Sequence, residues 1–385
     1  MLVGVPRPLC VLLPEIGVVS ETFIRWDIHE LLPGGTVVIA DPPPAGDSVR
    51  HRAAWNAGDC PILAFEPLPG DPPPPPDRVS AVADFLAEHR VEAVLVEYLD
   101  FADRWFDALL GRGVRVWLRG HGVDVSARLT EHNWRERYRR YDQADGIIVP
   151  SLAAATALVK TGLPKGRVHV VRYCVDLPPR RSARTGTRAE VRCVAVGRLV
   201  PKKGPLLVLE SFRRAAQRCD HLTLDLVGDG PLMNEVRSYV DRHGLGDRVR
   251  LHGRLPHPAT LAMIRAADVL LHHAVTSPEN GDAEGQPLAV LEAMAAGIPV
   301  IATDHAGIPE VVADRATGRL VAEHDVTGMA AALLELAADP AARQRLGQAA
   351  RATIEQRHGA KLARRTLRQL LRLPDTPADR PAVVG

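Results

Sequence analysis

A chain of 385 residues is long enough for two domains of ordinary size. A hydrophobic content of 46% supplies a core for each, and a net charge of +2 excludes bulk electrostatic binding of nucleic acid. No apolar stretch approaches the ~20 residues needed to span a bilayer.

The N-terminus, MLVGVPRPLCVLLPEIG, lacks a basic leader and a small-residue cleavage site, so Leu9–Leu13 reads as a first strand rather than a signal peptide. A helix over Glu21–Leu32 and strands at Val37–Ala40 and Ile62–Phe65 follow. The proline run 68-LPGDPPPPPD-77 reads as an extended surface connector. Next come a helix Arg78–Arg90, a strand Ala93–Val96, a helix near Asp103–Leu110 and a strand Val114–Leu118. The loop Arg119–Asp124 leads to a charged helix Glu131–Gln143 and a strand Gly146–Val149. Ser151 caps a helix running to about Lys160, and Val168–Val171 closes this half.

Residues 176–190 are aperiodic and rich in proline and arginine, as a linker is. Alternation resumes with the strand Cys193–Val196, a helix Pro205–Arg218, the strand Leu222–Val227 and a helix Pro231–Arg242. The strand Val249–His252, a helix Pro256–Ala266 and the strand Asp268–His272 follow. Then come a polar loop, a helix opening at Pro287, the strand Ile298–Ala302, a turn, and the strand Gly318–Val321. The remainder is helical to about Leu373, with a frayed tail. Strands alternating with helices of this size predict α/β architecture: two doubly wound parallel sheets in tandem. The five scattered cysteines lack metal spacing and fit reduced thiols in a cytoplasmic protein.

The segment 277-SPENGDAEGQPLAVLEAMAAGIPVIATDHAGIPEVV-312 is the most informative. Proline suits the first helical position, where its missing N–H costs nothing. Glu284, Gly285 and Gln286 bring backbone donors up to that helix start, whose positive end favours an anion. Glu284 in the loop and Glu292 in the helix fall on one side of the resulting pocket. The residues alone thus predict a phosphate-bearing ligand with acidic groups around it.

The frame Glu284-x7-Glu292 in E-G-Q-P-L-A-V-L-E-A-M-A-A-G-I-P-V-I-A-T resembles the signature of retaining family-4 glycosyltransferases of the GT-B fold. The resemblance implies two Rossmann-like domains facing across a cleft. Residues 1–175 would bind the acceptor, 176–190 link, and 191–355 bind the nucleotide sugar. Residues 356–385 would hold a last helix crossing back to the first domain, then the tail.

In 197-GRLVPKKG-204, Arg198 and Lys203 match the family's diphosphate-binding frame, with Lys202 read as a solvated neighbour. The amides of Gly285, Gln286, Pro287 and Leu288, as the segment before and at the helix start, would join them. Pro287 contributes only its backbone shape there. Glu292 would accept the ribose hydroxyls, and Gly253 and Arg254 would line the nucleobase. Glu284 would hold the donor sugar; whether it also acts as a nucleophile stays open. 228-GDGP-231 reads as a tight turn.

In the first half, His121 in H-G-x-D matches the family's histidine near the donor sugar. Asp124 either orients it or caps a turn. Gly17 would let the first loop approach the donor. Glu97, Tyr98, Asp100 and Asp124 are candidates for acceptor contacts. The stretch S-E-T-F-I, with H-G-x-D, is similar to a branch that includes colanic acid and amylovoran exopolysaccharide glycosyltransferases. Two departures stand out: no glycine is paired with Gly17, and 172-RYCVDL-177 replaces the usual N-G-V-D. The basic aromatic helix 134-WRERYRRY-141 is either a solvated face or an acceptor or membrane-surface contact.

The chain has no D-x-D and no His/Cys metal spacing, so the expected chemistry is metal-independent and cofactor-free. The expected donor is a UDP- or GDP-linked sugar, and the acceptor a hydroxyl of an exopolysaccharide precursor or a small natural product. A sugar-nucleotide epimerase, a phosphorylase and a non-catalytic nucleotide-sugar binder share the fold and stay open as alternatives.

Overall fold

The computed structural model describes residues 6–18, 21–41, 60–68, 73–180 and 190–374. Ser20 of the S-E-T-F-I stretch, part of the proline run, most of the linker and nearly all of the tail lie outside the described residues. The chain divides into two compact units. The first gathers the described residues up to Pro150, Ala155–Val171 and those from Lys361 onward; the second comprises Ser151–Ala154 and Arg172–Ala360.

In the first unit the described strands are β1 (Leu9–Leu13), β2 (Thr36–Ala40), β3 (Ile62–Ala64), β4 (Ala93–Glu97), β5 (Arg115–Arg119), β6 (Gly146–Val149) and β7 (Val168–Val170). They form one parallel sheet in the order β3-β2-β1-β4-β5-β6-β7. Every residue of β1, β2 and β4 is buried, as expected where helices cover both faces. The helices are α1 (Thr22–His29), α2 (Pro76–Glu88), α3 (Leu99–Leu109), α4 (Ala127–Thr130), α5 (His132–Arg139) and α6 (Leu152–Lys160). The Ser151 cap is present: its Oγ accepts from the Ala154 N–H at 3.1 Å.

Two helices depart from expectation. The single charged helix expected over Glu131–Gln143 is divided into α5 and a 3-10 turn Arg140–Gln143, with the short α4 just before it. Tyr138 and Tyr141 are fully buried, while Trp134 lies between the guanidinium groups of Arg128 and Arg137. The segment therefore has an internal aromatic face as well as a solvated one. The helix expected near Asp103 starts at Leu99, so Asp100 occupies its first turn.

The second unit holds β8 (Val191–Val196), β9 (Leu222–Val227), β10 (Val249–Gly253), β11 (Val269–His272), β12 (Val300–Thr303) and β13 (Gly318–Val321). Their order is β10-β9-β8-β11-β12-β13, again parallel throughout. Its helices are α7 (Pro205–Ala216), α8 (Met233–Arg242), α9 (His257–Ala266), α10 (Leu288–Ala295), α11 (Val326–Ala338) and α12 (Pro340–Arg357). The strand expected at Ile298–Ala302 is displaced to Val300–Thr303, because Ile298 still belongs to the end of α10, donating to Ala293 O at 2.9 Å. Gly297 makes that ending possible with φ 73°, a left-handed conformation that suits glycine. Arg351 of α12 then covers the Ala295 carbonyl at 2.9 Å, so α10 is anchored firmly at its C-terminal end.

The last helix, α13 (Ala360–Leu371), completes the first unit. Ala363, Leu367 and Leu371 recur at helical spacing and are buried, and Leu367 and Leu371 join Leu31 and Leu32 in that unit's core. Arg364 Nε donates to Glu30 O at 2.7 Å and Arg368 Nε to Leu31 O at 2.6 Å. These are carbonyls that the end of α1 leaves without helical partners. Arg115 Nε in turn donates to Leu371 O at 3.1 Å. Leu367→Ala is expected to destabilise the first unit by about 2–5 kcal/mol, the usual cost of emptying a buried leucine site; urea unfolding followed by circular dichroism measures it.

Candidate active site

Ligands of open parallel sheets bind beyond the strand carboxyl ends where strand order reverses. In the second unit that point lies between β8 and β11. The loop after β8 carries Gly197–Gly204, and the loop after β11 runs from His273 to Pro287. The two are laced together. Val275 N donates to Lys202 O at 2.9 Å, and a Cβ at Gly204 would lie 2.2 Å from His273 O. Gly204 has φ 54°, so both the close approach and the backbone angle call for glycine. The 228-GDGP-231 turn is structural, as expected: a Cβ at Gly228 would fall 1.8 Å from Gly197 O.

Lys203 and Glu284 meet at this reversal point as an ion pair. Burial pushes the Lys203 ammonium below its ordinary range, and Glu284 only partly restores it. At Glu284 burial acts the other way, but Lys203 and Lys202 outweigh it and hold the carboxyl at about 2. The Glu284 carboxyl is therefore charged, while the desolvation of Lys203 is not fully offset by it. Arg198 is exposed, and it lines one crevice with Gly197, Lys203 and His272. His272 is buried, and its imidazole is pushed down to about 3 by burial and then by Lys203.

Lys202 is not the solvated neighbour expected. It is 5% exposed, and its Nζ bonds Asp282 Oδ1 at 2.9 Å and Ala283 O at 3.3 Å. It ties down the residues just ahead of Glu284. The helix also starts one residue later than expected, at Leu288, with Pro287 as its extended N-cap. The backbone N–H groups of Gly285, Gln286 and Leu288 have no hydrogen-bond partner among the described residues. Gly285 and Gln286 are buried, where unpaired donors are costly. The Gln286 side chain points inward instead, its Oε1 accepting from Tyr173 N at 2.9 Å.

Glu292 is held by His257 through Oε1 at 2.7 Å. Gly253 follows a register shift in β10 with φ 64°, and its carbonyl accepts from Gly228 N at 2.8 Å. Arg254 next to it is exposed. Two residues beyond sequence reasoning complete the second unit's site. His305 Nε2 accepts from the Glu284 N–H at 3.0 Å, and its Nδ1 bonds Glu323 Oε1 at 2.6 Å. Both follow the carboxyl ends of strands, β12 and β13, and that position was the available signal.

In the first unit the reversal lies between β1 and β4. Gly17 follows β1 with φ 94°. Tyr98 follows β4 with φ 69°, unusual for a bulky residue, and its hydroxyl donates to Glu21 Oε1 at 2.5 Å. His121 lies after β5, with its ring 4.4 Å from that of Phe23 and 4.7 Å from that of Tyr98. Its Nε2 is 2.7 Å from Glu97 Oε2.

Glu97 and Asp124, expected among the acceptor contacts, are internal instead. Both are fully buried. Asp124 accepts from the backbone N–H groups of Leu99, His121 and Gly122 at 2.8–3.1 Å, so it fixes the loop that carries His121. Of the other two candidates, Asp100 is paired with Arg128 at 3.0 Å and Tyr98 is half-buried. Asp27, buried in the same cluster, is ion-paired with Arg119. Burial pushes the Glu97 and Asp27 carboxyls up to about 7 and the His121 imidazole down to about 3, so His121 is neutral.

The comparisons with known proteins bear on both units. Residues 34–178 match "Glycosyltransferase Family 4" and residues 187–353 match "Glycosyl transferases group 1". The chain is built of two glycosyltransferase domains. It is 33% identical over 214 residues to the putative colanic acid biosynthesis glycosyltransferase WcaL of Escherichia coli K12, covering 54% of this chain and 52% of that protein. To the amylovoran biosynthesis glycosyltransferase AmsK of Erwinia amylovora it is 30% identical over 272 residues, 70% of this chain and 65% of the relative. The chain thus spans between half and two thirds of the length of these curated relatives. Anabaena HepE, crystallised with UDP and glucose, shares the GT-B fold at a TM-score of 0.78 and 18% identity, over 94% of this chain and 99% of that one. No helix among the described residues is long and apolar enough to cross a membrane, and no three metal-ligating side chains are grouped as a metal ion needs.

The raised Glu97 carboxyl carries a pH dependence with a fixed sign. A folded-state pKa near 7 against an ordinary carboxylate value of 4.5 means that the folded chain binds the proton more tightly. This contribution to stability is full below about pH 4.5 and lost as pH rises through about 7. Glu97→Gln, which has no proton to lose, is expected to gain stability relative to the parent chain between pH 5 and pH 8. Parallel thermal melts across that range measure the difference.

Proposed function

We propose that the chain transfers a sugar from a nucleoside-diphosphate sugar to an acceptor hydroxyl with retention of configuration. The observation that carries this reading is the set of N–H groups of Gly285, Gln286 and Leu288 at the start of α10, without a partner among the described residues, directly after Glu284, whose ion-pair partner Lys203 shares a crevice with Arg198. A diphosphate at that helix start would satisfy the donors and meet both cations. Lys203 would face the leaving phosphate on one side and Glu284 on the other. Glu284 would hold hydroxyls of the donor sugar. Glu292, oriented by His257, would accept the ribose hydroxyls.

In the reaction the acceptor oxygen forms a bond to the anomeric carbon as the bond from that carbon to the phosphate oxygen breaks. The electron pair stays with the diphosphate, and the hydroxyl proton passes to it from the same face. Charge growing on the leaving oxygens would be met by donors already in place, which is where such sites gain most of their rate. Neutral His121, held by Glu97 and the Asp124-fixed loop, is assigned to a sugar hydroxyl. The names of WcaL and AmsK support an exopolysaccharide precursor as acceptor, and the UDP and glucose in HepE support a UDP-linked hexose as donor.

A thermal-shift screen of UDP, GDP and ADP sugars is expected to show selective stabilisation by one nucleotide. With that donor, Arg198→Ala and Lys203→Ala should each lower turnover ~10²-fold, in line with loss of one transition-state donor. NMR of the product should show the anomeric configuration of the donor, and turnover should persist in EDTA. Full activity of either variant, an inverted product, an isomerised donor without adduct, or donor binding without turnover would each reject part of the reading.

A further inference from the structure

We propose that His305 and Glu323 are positioning residues that set Glu284 for its work on the donor sugar. The inference rests on the reading of Glu284 given above. The Glu284 backbone N–H can only donate, so His305 Nε2, 3.0 Å away, must accept. The imidazole is therefore the neutral tautomer with its proton on Nδ1, and that N–H donates to Glu323 Oε1 at 2.6 Å. The other Glu323 oxygen accepts from Thr276 N at 2.8 Å. One carboxylate thus fixes the start of the loop after β11 directly, and through His305 it fixes the residue near that loop's end.

The arrangement is imposed, not incidental. Ala306, next to His305, has φ 46°, and His324, next to Glu323, has φ 63°. Side chains other than glycine rarely adopt such angles, and they persist where the surroundings demand them. Packing adds a further constraint: a Cβ at Gly307 would lie 2.0 Å from Gly285 O, so the turn carrying His305 is pressed onto the backbone beside Glu284. His305 itself is 4% exposed and is spaced from the proposed sugar by Glu284, so its effect runs through that residue. The chemistry also explains what the bond achieves. With its N–H committed to His305, Glu284 is held in the single backbone orientation that sends its carboxylate to Lys203.

Five variants and one spectrum test this in the full chain. Nucleotide release from a panel of UDP- and GDP-hexoses gives kcat, and calorimetry with UDP and GDP gives the nucleotide dissociation constant. His305→Ala and Glu323→Ala are each expected to lower kcat ~10- to 100-fold, the scale of a misplaced reacting group, while nucleotide affinity stays within about twofold. The double variant should lose little beyond His305→Ala, because both changes break the same chain of hydrogen bonds. His305→Gln, which keeps an acceptor in reach of the Glu284 N–H, should recover part of the loss. Long-range proton–nitrogen NMR of the unliganded parent chain should show the His305 proton on Nδ1, a readout that needs neither donor nor turnover. A proton on Nε2, a loss confined to nucleotide affinity, or additive losses in the double variant would overturn the proposal. Glu284→Gln, run in parallel, separates the two levels. If it is impaired while His305→Ala and Glu323→Ala are fully active, the positioning role fails alone; if it is fully active, the donor-sugar reading fails.

Discussion

A largely buried ammonium facing a largely buried carboxylate is expensive to build, and the second unit is arranged around one. Lys203 and Glu284 come from different loops, and burial costs the lysine more than Glu284 returns. An ion pair of this kind is poor evidence for stability, since apolar side chains of similar volume commonly fold as well or better. It is better understood as a charge held ready in a dry place. The surrounding devices serve that end: Gly204 lets the two loops touch, Lys202 pins the residues ahead of Glu284, and Gly297 and Arg351 secure the far end of α10. The N-terminal end of α10, with its open donors, is thereby presented at a fixed distance from the lysine.

The first unit solves a different electrostatic problem. Asp27, Glu97, Arg119 and His121 share one buried cluster in which burial raises the carboxyls and keeps the imidazole neutral. Its aromatic walls, Phe23 and Tyr98, exclude water from the ring. A neutral imidazole can donate or accept toward a hydroxyl without placing a full charge beside a sugar, which is the property a sugar contact requires. Asp124 gives up its own chemistry to this purpose, spending both oxygens on backbone N–H groups.

Much of this was legible in the chain itself. The buried run Leu9–Leu13 is a strand with the bounds that hydrophobicity indicates, because a strand covered on both faces leaves little room for polar residues. Leu222–Val227 and Gly318–Val321 keep their expected bounds although Asp225 and Arg319 interrupt them. The E-x7-E frame and G-R-L-x-x-x-K-G located Lys203 and Glu284, though not that they would meet. Partnership was the part that escaped. Lys202 looked solvated because a lysine in a loop usually is, and only the fold reveals Asp282 and the Ala283 carbonyl beside it. Glu97 and Asp124 looked available because they flank strand ends, yet the sheet turns both inward. His305 and Glu323 lie 18 residues apart on successive strand ends and carry no local pattern that links them. Side-chain pairing across a sheet edge is set by strand order, and one sequence does not display it.

The placement of α13 reaches beyond the folded state. The first unit's core includes Leu367, Leu371 and Leu373 alongside residues as early as Leu9. During synthesis, then, the leading Rossmann-like unit emerges with a greasy face uncovered and cannot close until α13 has been made. The second unit, within Ser151–Ala360, needs nothing from α13 and can settle before that helix is made. Vectorial assembly of these two units thus runs against the order of their sequence, with the later-made unit complete first and the earlier-made one sealed by a helix that follows it.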